Sequence, residues 1–205
     1  MRTIVSLLVA LTMVLGFAAG CQVTPPDTDY RSVSAGAMTV SIPQHWQRPP
    51  DYDELLAAFT KSFTEEELQY IELEGYGDEA DEVMAVMMTV GMEEYYTELG
   101  LDWPGWEVAL EEINMSGREY IEMLQFDLLG DSTDVAQETM RPMASLGYEA
   151  WEAIYTAEMD GEPVKICILI VLADNDVGTM VIILAEDGWD DFEAVWEVMR
   201  DSITI

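Results

Sequence analysis

Met38-Thr39-Val40-Ser41-Ile42 alternates apolar and polar side chains without a break, which is the period of a half-buried strand. Pro43 ends it, Trp46 follows, and Pro49-Pro50 closes the segment. Two short helices are expected next. Asp51 with Glu54, and Thr64 with Glu67, have the spacing that satisfies free amides at a helix start. Leu55, Leu56, Phe59 and Phe63 form one apolar stripe, Leu68 and Ile71 a second, and Gly75 and Gly77 break the second helix. Val83 to Val90 is apolar almost throughout. Its length and the bounding glycines favour a strand, while its methionines and alanine also permit a helix.

Three-to-four spacing then takes over. Pro104 suits a first helical turn. Trp106, Leu110, Ile113, Gly117, Tyr120 or Ile121, and Leu124 line one face, with Glu107, Glu111, Glu112, Glu119 and Glu122 largely off it. The pattern predicts a helical stretch over about 91–130, with a break at Asn114 to Gly117. From Thr133 the period returns to two. Val135 to Thr139 reads as a strand. In the next one Trp151, Ala153, Tyr155, Ala157 and Met159 share a side, with Glu152 and Glu158 opposite. Asp160-Gly161-Glu162 is a hairpin loop. Val164 to Ala173 and Val177 to Ala185 are apolar on both faces, so they are central strands, joined by a turn at Asp174-Asn175-Asp176. The last helix carries Trp189, Phe192, Val195, Trp196, Met199 and Ile203 on one face and acids on the other. The expected fold is α+β: a mostly antiparallel β-sheet covered by helices, with a helical insertion in the middle, in a single domain over 37–205.

The first 36 residues have another character. Arg2 begins an apolar run from Ile4 to Phe17, and small residues lead into a cysteine. That order is a secretory signal. The run is short of the roughly 20 residues of a comfortable membrane span. Ala18-Ala19-Gly20-Cys21 resembles the lipobox of bacterial lipoproteins. That likeness implies cleavage of signal peptide 1–20 and a lipid, palmitate included, on Cys21. It places the mature chain on the extracytoplasmic side of the bacterial cell membrane. An ordinary signal peptide followed by Cys, or an uncleaved anchor, are the alternatives. Residues 21–36, with adjacent prolines and no period, read as a flexible tether of about 15 residues and up to roughly 50 Å.

Charge narrows the partners. Asp and Glu number 41 against 8 Lys and Arg, a formal charge of −33. Such a surface repels phosphate backbones and excludes nucleic-acid binding as a plausible role. It also repels anionic lipid headgroups, which leaves membrane attachment to the N-terminal lipid. A solvated acidic surface accounts for the excess, and a cation-rich partner or metal ions are the sharper alternative. With Cys21 assigned to lipid, Cys167 is alone and reads as a small core residue.

Catalytic and metal motifs are missing. His45 is the single histidine, in a turn, and no Gly-x-Ser-x-Gly elbow accompanies it. Asp174-x-Asp176 starts like a calcium loop, but Thr179 stands where glycine is wanted and Ala185 where glutamate is. Asp187, Asp190 and Asp191 fit the positive end of the last helix better than a metal site. No cofactor is expected. Trp103 and Trp106, flanking Pro104-Gly105 in the atypical middle, are the candidate residues for ligand or partner binding. Met84, Met87, Met88 and Met92 read as core, or as an adaptable apolar surface if exposed.

The opening Met38-Thr39-Val40-Ser41-Ile42-Pro43-Gln44-His45-Trp46, a strand followed by Pro-x-x-Trp, resembles that of the PsbP/Mog1/DcrB-like group of α/β sandwiches. So does the closing order of strand, hairpin, two apolar strands and amphipathic helix. The likeness covers about 37–50 and 146–205, and the stretch 91–130 departs from it. It implies a non-catalytic role: binding an envelope protein or a small ligand, or assisting assembly. A calcium-responsive lipoprotein and, last, a carboxylate-dependent hydrolase are the alternatives.

Overall fold

The structure, a computed structural model, describes residues 29–50, 52, 67–78, 83–129, 132–159 and 161–205. Eight strands are present among them: β1 (Tyr30–Ala35), β2 (Met38–Pro43), β3 (Ile71–Asp78), β4 (Val83–Gly91), β5 (Thr133–Pro142), β6 (Glu149–Met159), β7 (Glu162–Leu172) and β8 (Asp176–Ala185). Four α-helices join them: α1 (Met92–Glu98), α2 (Trp106–Glu112), α3 (Gly117–Leu129) and α4 (Trp189–Asp201). Strands β3-β4-β8-β7-β6-β5 form one sheet in that order, and every pairing in it is antiparallel. β1 and β2 form a separate ribbon. The fold is an α+β sandwich.

Both faces of the large sheet are covered, which explains why β7 and β8 are apolar on both sides. On one face lie α1 to α3. There Ile121, Leu124 and Leu128 of α3 pack in one cluster with Ala153, Tyr155, Ile166, Ile168 and Ile170. On the other lie α4 and the ribbon. There Met38, Val40, Ile42, Phe192, Trp196 and Met199 pack with Cys167, Leu169 and Ile182. Trp46, from the Pro-x-x-Trp segment, stacks on Phe192 of α4 at 6.1 Å and 6°. That contact joins the two ends of the chain. Ile121 is fully buried between α3 and the sheet. Its truncation to alanine would cost about 2–5 kcal/mol.

Three local differences from the sequence reading have physical causes. The tether expected over 21–36 is partly structured: Tyr30–Ala35 is β1, paired residue for residue with β2. Its short apolar count hid it, because Val33 and Ala35 are its only fully buried side chains, with Tyr30 packed part-buried beside them. Of the second helix, expected to reach Ile71 and to break at Gly75 and Gly77, the described part is a 3₁₀ turn at Glu67–Tyr70, and Ile71 already begins β3. Here the glycines permit close approach. Gly77 pairs with Gln47 on one side, N–H to carbonyl at 2.9 and 3.0 Å, and with β4 on the other. The first expected helix, at Asp51 to Phe63, lies outside the described residues apart from Tyr52. Finally, Glu152 does project from the side of β6 opposite Trp151, but that side is closed over by α4, and Glu152 has no solvent exposure.

The ambiguous Val83 to Val90 is strand β4, and Met87, Met88 and Met92 are buried. The 91–130 stretch is helical and breaks where expected. Asn114, at φ 54°, and Ser116 separate α2 from α3. Ser116 and Glu119 form a reciprocal cap at the start of α3. The Ser116 N–H donates to Glu119 Oε2 at 2.8 Å, and the Glu119 N–H donates to Ser116 Oγ at 3.2 Å.

Candidate functional site

The helical segment between β4 and β5 is fastened to the sheet by backbone groups of the β7–β8 turn. The Met92 N–H donates to the Asn175 carbonyl at 2.7 Å. The indole N–H of Trp103 donates to the Asp174 carbonyl at 3.0 Å, and that of Trp106 to the Ala173 carbonyl. Asn175 Nδ2 donates to Glu93 Oε2 at 3.1 Å. Gly105, at φ 84° with open space where a side chain would stand, turns the chain between the two tryptophans. Both rings are therefore held from behind, leaving their faces for other contacts.

Those faces belong to a continuous aromatic series. Tyr70 meets Tyr95 at 5.3 Å, Tyr95 meets Tyr96 at 5.8 Å, and Tyr96 meets Trp103 at 4.8 Å. Trp103 meets Trp106 at 5.0 Å and 79°, and Trp106 meets Tyr120 at 5.7 Å. These are edge-to-face and tilted arrangements, the geometry aromatic quadrupoles prefer. Tyr95, Tyr96, Trp103, Trp106 and Tyr120 enclose part of a cavity of about 70 Å³, with the exposed Glu112 also in its wall. A cavity of this size holds one or two waters and falls well below the roughly 150 Å³ that accepts a benzene ring.

The phenols of Tyr96 and Tyr120 stay neutral. Burial pushes the Tyr120 hydroxyl up to about 12, with Tyr96 and Tyr95 adding to it. Burial and the Glu112 carboxylate push Tyr96 up as well. The charge at the cavity is thus the Glu112 carboxylate. Over residues 92–129 the chain has ten acids and one basic residue, Arg118. Arg118 is already engaged, by Glu122 at 2.7 Å and by the Trp151 ring at 5.0 Å.

Trp103 and Trp106 come together, half-buried, in the wall of one cavity. Their partners Tyr95, Tyr96, Tyr120 and Glu112 were not singled out from sequence, although all lie within the same atypical stretch. Cys21 lies outside the described residues. His45 is exposed in a turn, its Nε2 3.3 Å from Asp78 Oδ2. Cys167 is buried, and that burial pushes its thiol well up. Among the described residues no three His, Cys, Asp or Glu side chains gather as a metal site, and no helix is long and apolar enough to cross a membrane.

A charged cluster lies on the other face of the sheet. Glu152 accepts from Arg141 Nε and from the Trp196 indole N–H, and it lies 3.5 Å from Arg200 Nη1. Arg200 is raised above its ordinary value by its hydrogen bond to Asp201 and by Glu152, against the opposing effect of burial. Lys165, on the same face, pairs with both oxygens of Glu138 and stands 5.7 Å from the Trp189 ring. The cluster ties α4 to β6, with Arg141 and Glu138 still partly exposed at its rim.

No family model and no curated protein sequence matches the chain. Solved structures do. Cyanobacterial PsbP (CyanoP) from Synechocystis sp. PCC 6803 superposes with a TM-score of 0.50 at 11% identity, over 92% of this chain and 97% of that one. The fold is PsbP/Mog1-like. The Ran-binding protein Mog1p of Saccharomyces cerevisiae gives a TM-score of 0.47 at 10% identity, over 86% of this chain and 95% of that one. LpqN of Mycobacterium tuberculosis, involved in cell envelope biogenesis, gives 0.45 at 8% identity, over 86% and 90%. At such identities the likeness concerns the fold alone.

Proposed function

We propose that this chain is a lipid-anchored extracytoplasmic module that binds a small ligand or an envelope protein through its helical insertion and performs no chemistry. The observation that carries the reading is the aromatic cavity. Five rings from three helices and a loop converge there, and two of them are pinned through their N–H groups to one turn. Rings held in that way present preformed apolar faces, which lowers the ordering cost of binding. The leader resembling a lipobox and the Pro-x-x-Trp opening support the placement and the non-catalytic role.

Two measurements test this. Mass spectrometry of the native protein should find Cys21 as the acylated first residue, and the Cys21→Ala chain should leave the membrane fraction. An unmodified Cys21 would refute the anchor. A photo-crosslinker at Val108 on α2, 43% exposed, should capture a defined partner or ligand that the same probe at Glu193 on α4 does not. Equal capture from both faces would refute the site.

A further inference from the structure

We propose that the turn from α1 into α2, around Leu99 and Leu101, docks a basic amphipathic segment of another protein, in which apolar side chains stand among Lys or Arg. This contact deepens the binding role given above and rests on it, but neither leucine lines the aromatic cavity.

Apolar exposure marks the place. Leu99 is 57% exposed and Leu101 56%, and among the large apolar side chains of the described residues only Phe126 is more open to solvent. Single exposed leucines are ordinary, whereas two of them separated by one glycine concentrate apolar surface in one turn. The backbone holds them there. The Gly100 N–H donates to the Thr97 carbonyl and the Leu101 N–H to the Tyr96 carbonyl, both at 2.9 Å, with Gly100 at φ 71°. In such a Schellman turn the residue after the glycine often packs back on the helix. Leu101 stays open instead. Two residues on, the Trp103 indole is bonded to the Asp174 carbonyl, which fixes the far side of the turn. A surface ordered before contact loses little entropy on docking.

Charge names the occupant. Residues 92–117 contain seven acids and no Lys or Arg. Glu98 and Asp102 flank the leucines in the chain, and Glu107, Glu111 and Glu112 follow on α2, all exposed. Among the described residues none of these five carboxylates has an ion pair, and every Lys and Arg is engaged elsewhere. Lys or Arg from a partner supplies the missing counter-charge while its apolar side chains cover the leucines. An anionic lipid surface is repelled by the same acids. A second copy would set acid against acid. A metal ion would need ligands that gather, and among the described residues no three do so.

The probe is a labelled peptide of two Leu-Lys-Lys-Leu-Leu-Lys-Leu heptads, titrated with the Cys21→Ala chain by fluorescence anisotropy. Two analogues accompany it, one with every Lys replaced by Glu and one with every Leu replaced by Ser. The parent peptide should bind saturably, the Glu analogue not at all, and the Ser analogue about tenfold more weakly. Leu99→Ser with Leu101→Ser should weaken the parent peptide about tenfold, and Glu98→Gln with Asp102→Asn about threefold. Val198, on α4 across the sheet, is likewise an apolar residue among acids, 41% exposed. Val198→Ser with Glu193→Gln and Glu197→Gln should therefore leave binding unaltered. Every substituted position is exposed, and circular dichroism checks that each variant stays folded.

No binding of the parent peptide, or equal binding of the Ser analogue, would overturn the proposal. So would equal losses from the Leu99 and Val198 sets, which would show a diffuse charge effect. Binding of phosphatidylglycerol vesicles, or a dimer in sedimentation that Leu99→Ser with Leu101→Ser abolishes, would overturn the choice of occupant. Defined capture at Val108 beside any of these results would leave the broader binding role standing.

Discussion

The indole N–H of Trp196, on α4, donates to the carboxylate of Glu152, in β6, where neither side chain reaches solvent. A carboxylate there is tolerable because Arg141 and Arg200 also face it. The helix that closes the fold is thus positioned by a charge in the sheet as well as by its apolar stripe. Glu152→Gln keeps an acceptor for Trp196 but leaves the buried Arg200 without its partner in β6. We expect a loss of about 3 kcal/mol in urea unfolding, and more for Glu152→Ala. A loss below about 1 kcal/mol for both would show that the cluster contributes little.

Gly77 offers a test of strand packing. A Cβ added there would stand 2.3 Å from the Val83 carbonyl oxygen, whereas one at Gly75 meets the Tyr52 ring at 3.1 Å. The backbone oxygen cannot step aside without parting β3 from β4, but a ring edge can move. Gly77→Ala should lower the melting temperature by about 2–8 °C, and Gly75→Ala by clearly less. The reverse order would contradict the pairing of β3 between Gln47 and β4.

The α3 cap makes a pH prediction. Hydrogen bonds from the Ser116 amide and then its hydroxyl hold the Glu119 carboxyl below its ordinary value of 4.5. A lowered value in the folded state stabilises the protein above the unfolded value, and the contribution fades as pH falls through the folded one. The melting-temperature gap between wild type and Glu119→Gln should therefore be constant from pH 7 to about 5.5 and shrink below about 4.5. A gap that grows on acidification would exclude this cap.

Cys167 should be chemically silent. Burial, reinforced by Glu152, raises its thiol well above the ordinary value and keeps the thiolate from forming. In the Cys21→Ala chain a thiol reagent at pH 8 should label it only at the rate of global or local opening, and rapidly in urea. Immediate labelling of the native protein would show an open path to the centre of the sheet.

Much of the architecture could be read from residue order. Strict alternation at Met38–Ile42, two doubly apolar runs at Val164–Ala173 and Val177–Ala185, and the stripe of the last helix each reflect a constraint carried by neighbours in the chain. The break at Asn114–Gly117 was equally local. Tyr30–Ala35 and Ile71–Asp78 were not recoverable in this way. β1 has few apolar side chains, and β3 is an edge strand whose glycines serve contacts with Gln47 and Tyr52.

The candidate site divides along the same line. Proximity to Pro104-Gly105 and an unusual setting were enough to single out Trp103 and Trp106, since both lie within four residues of chain. Their orientation depends on carbonyls some seventy positions away in the β7–β8 turn, and their companions Tyr95 and Tyr120 arrive on separate helices. The buried charge of Glu152 depends likewise on α4 folding back over β6. Periodicity specifies which face of each element is apolar, because that is a property of adjacent residues. Which rings meet, and which carboxylate loses its water, follows from long-range packing that no local spacing encodes.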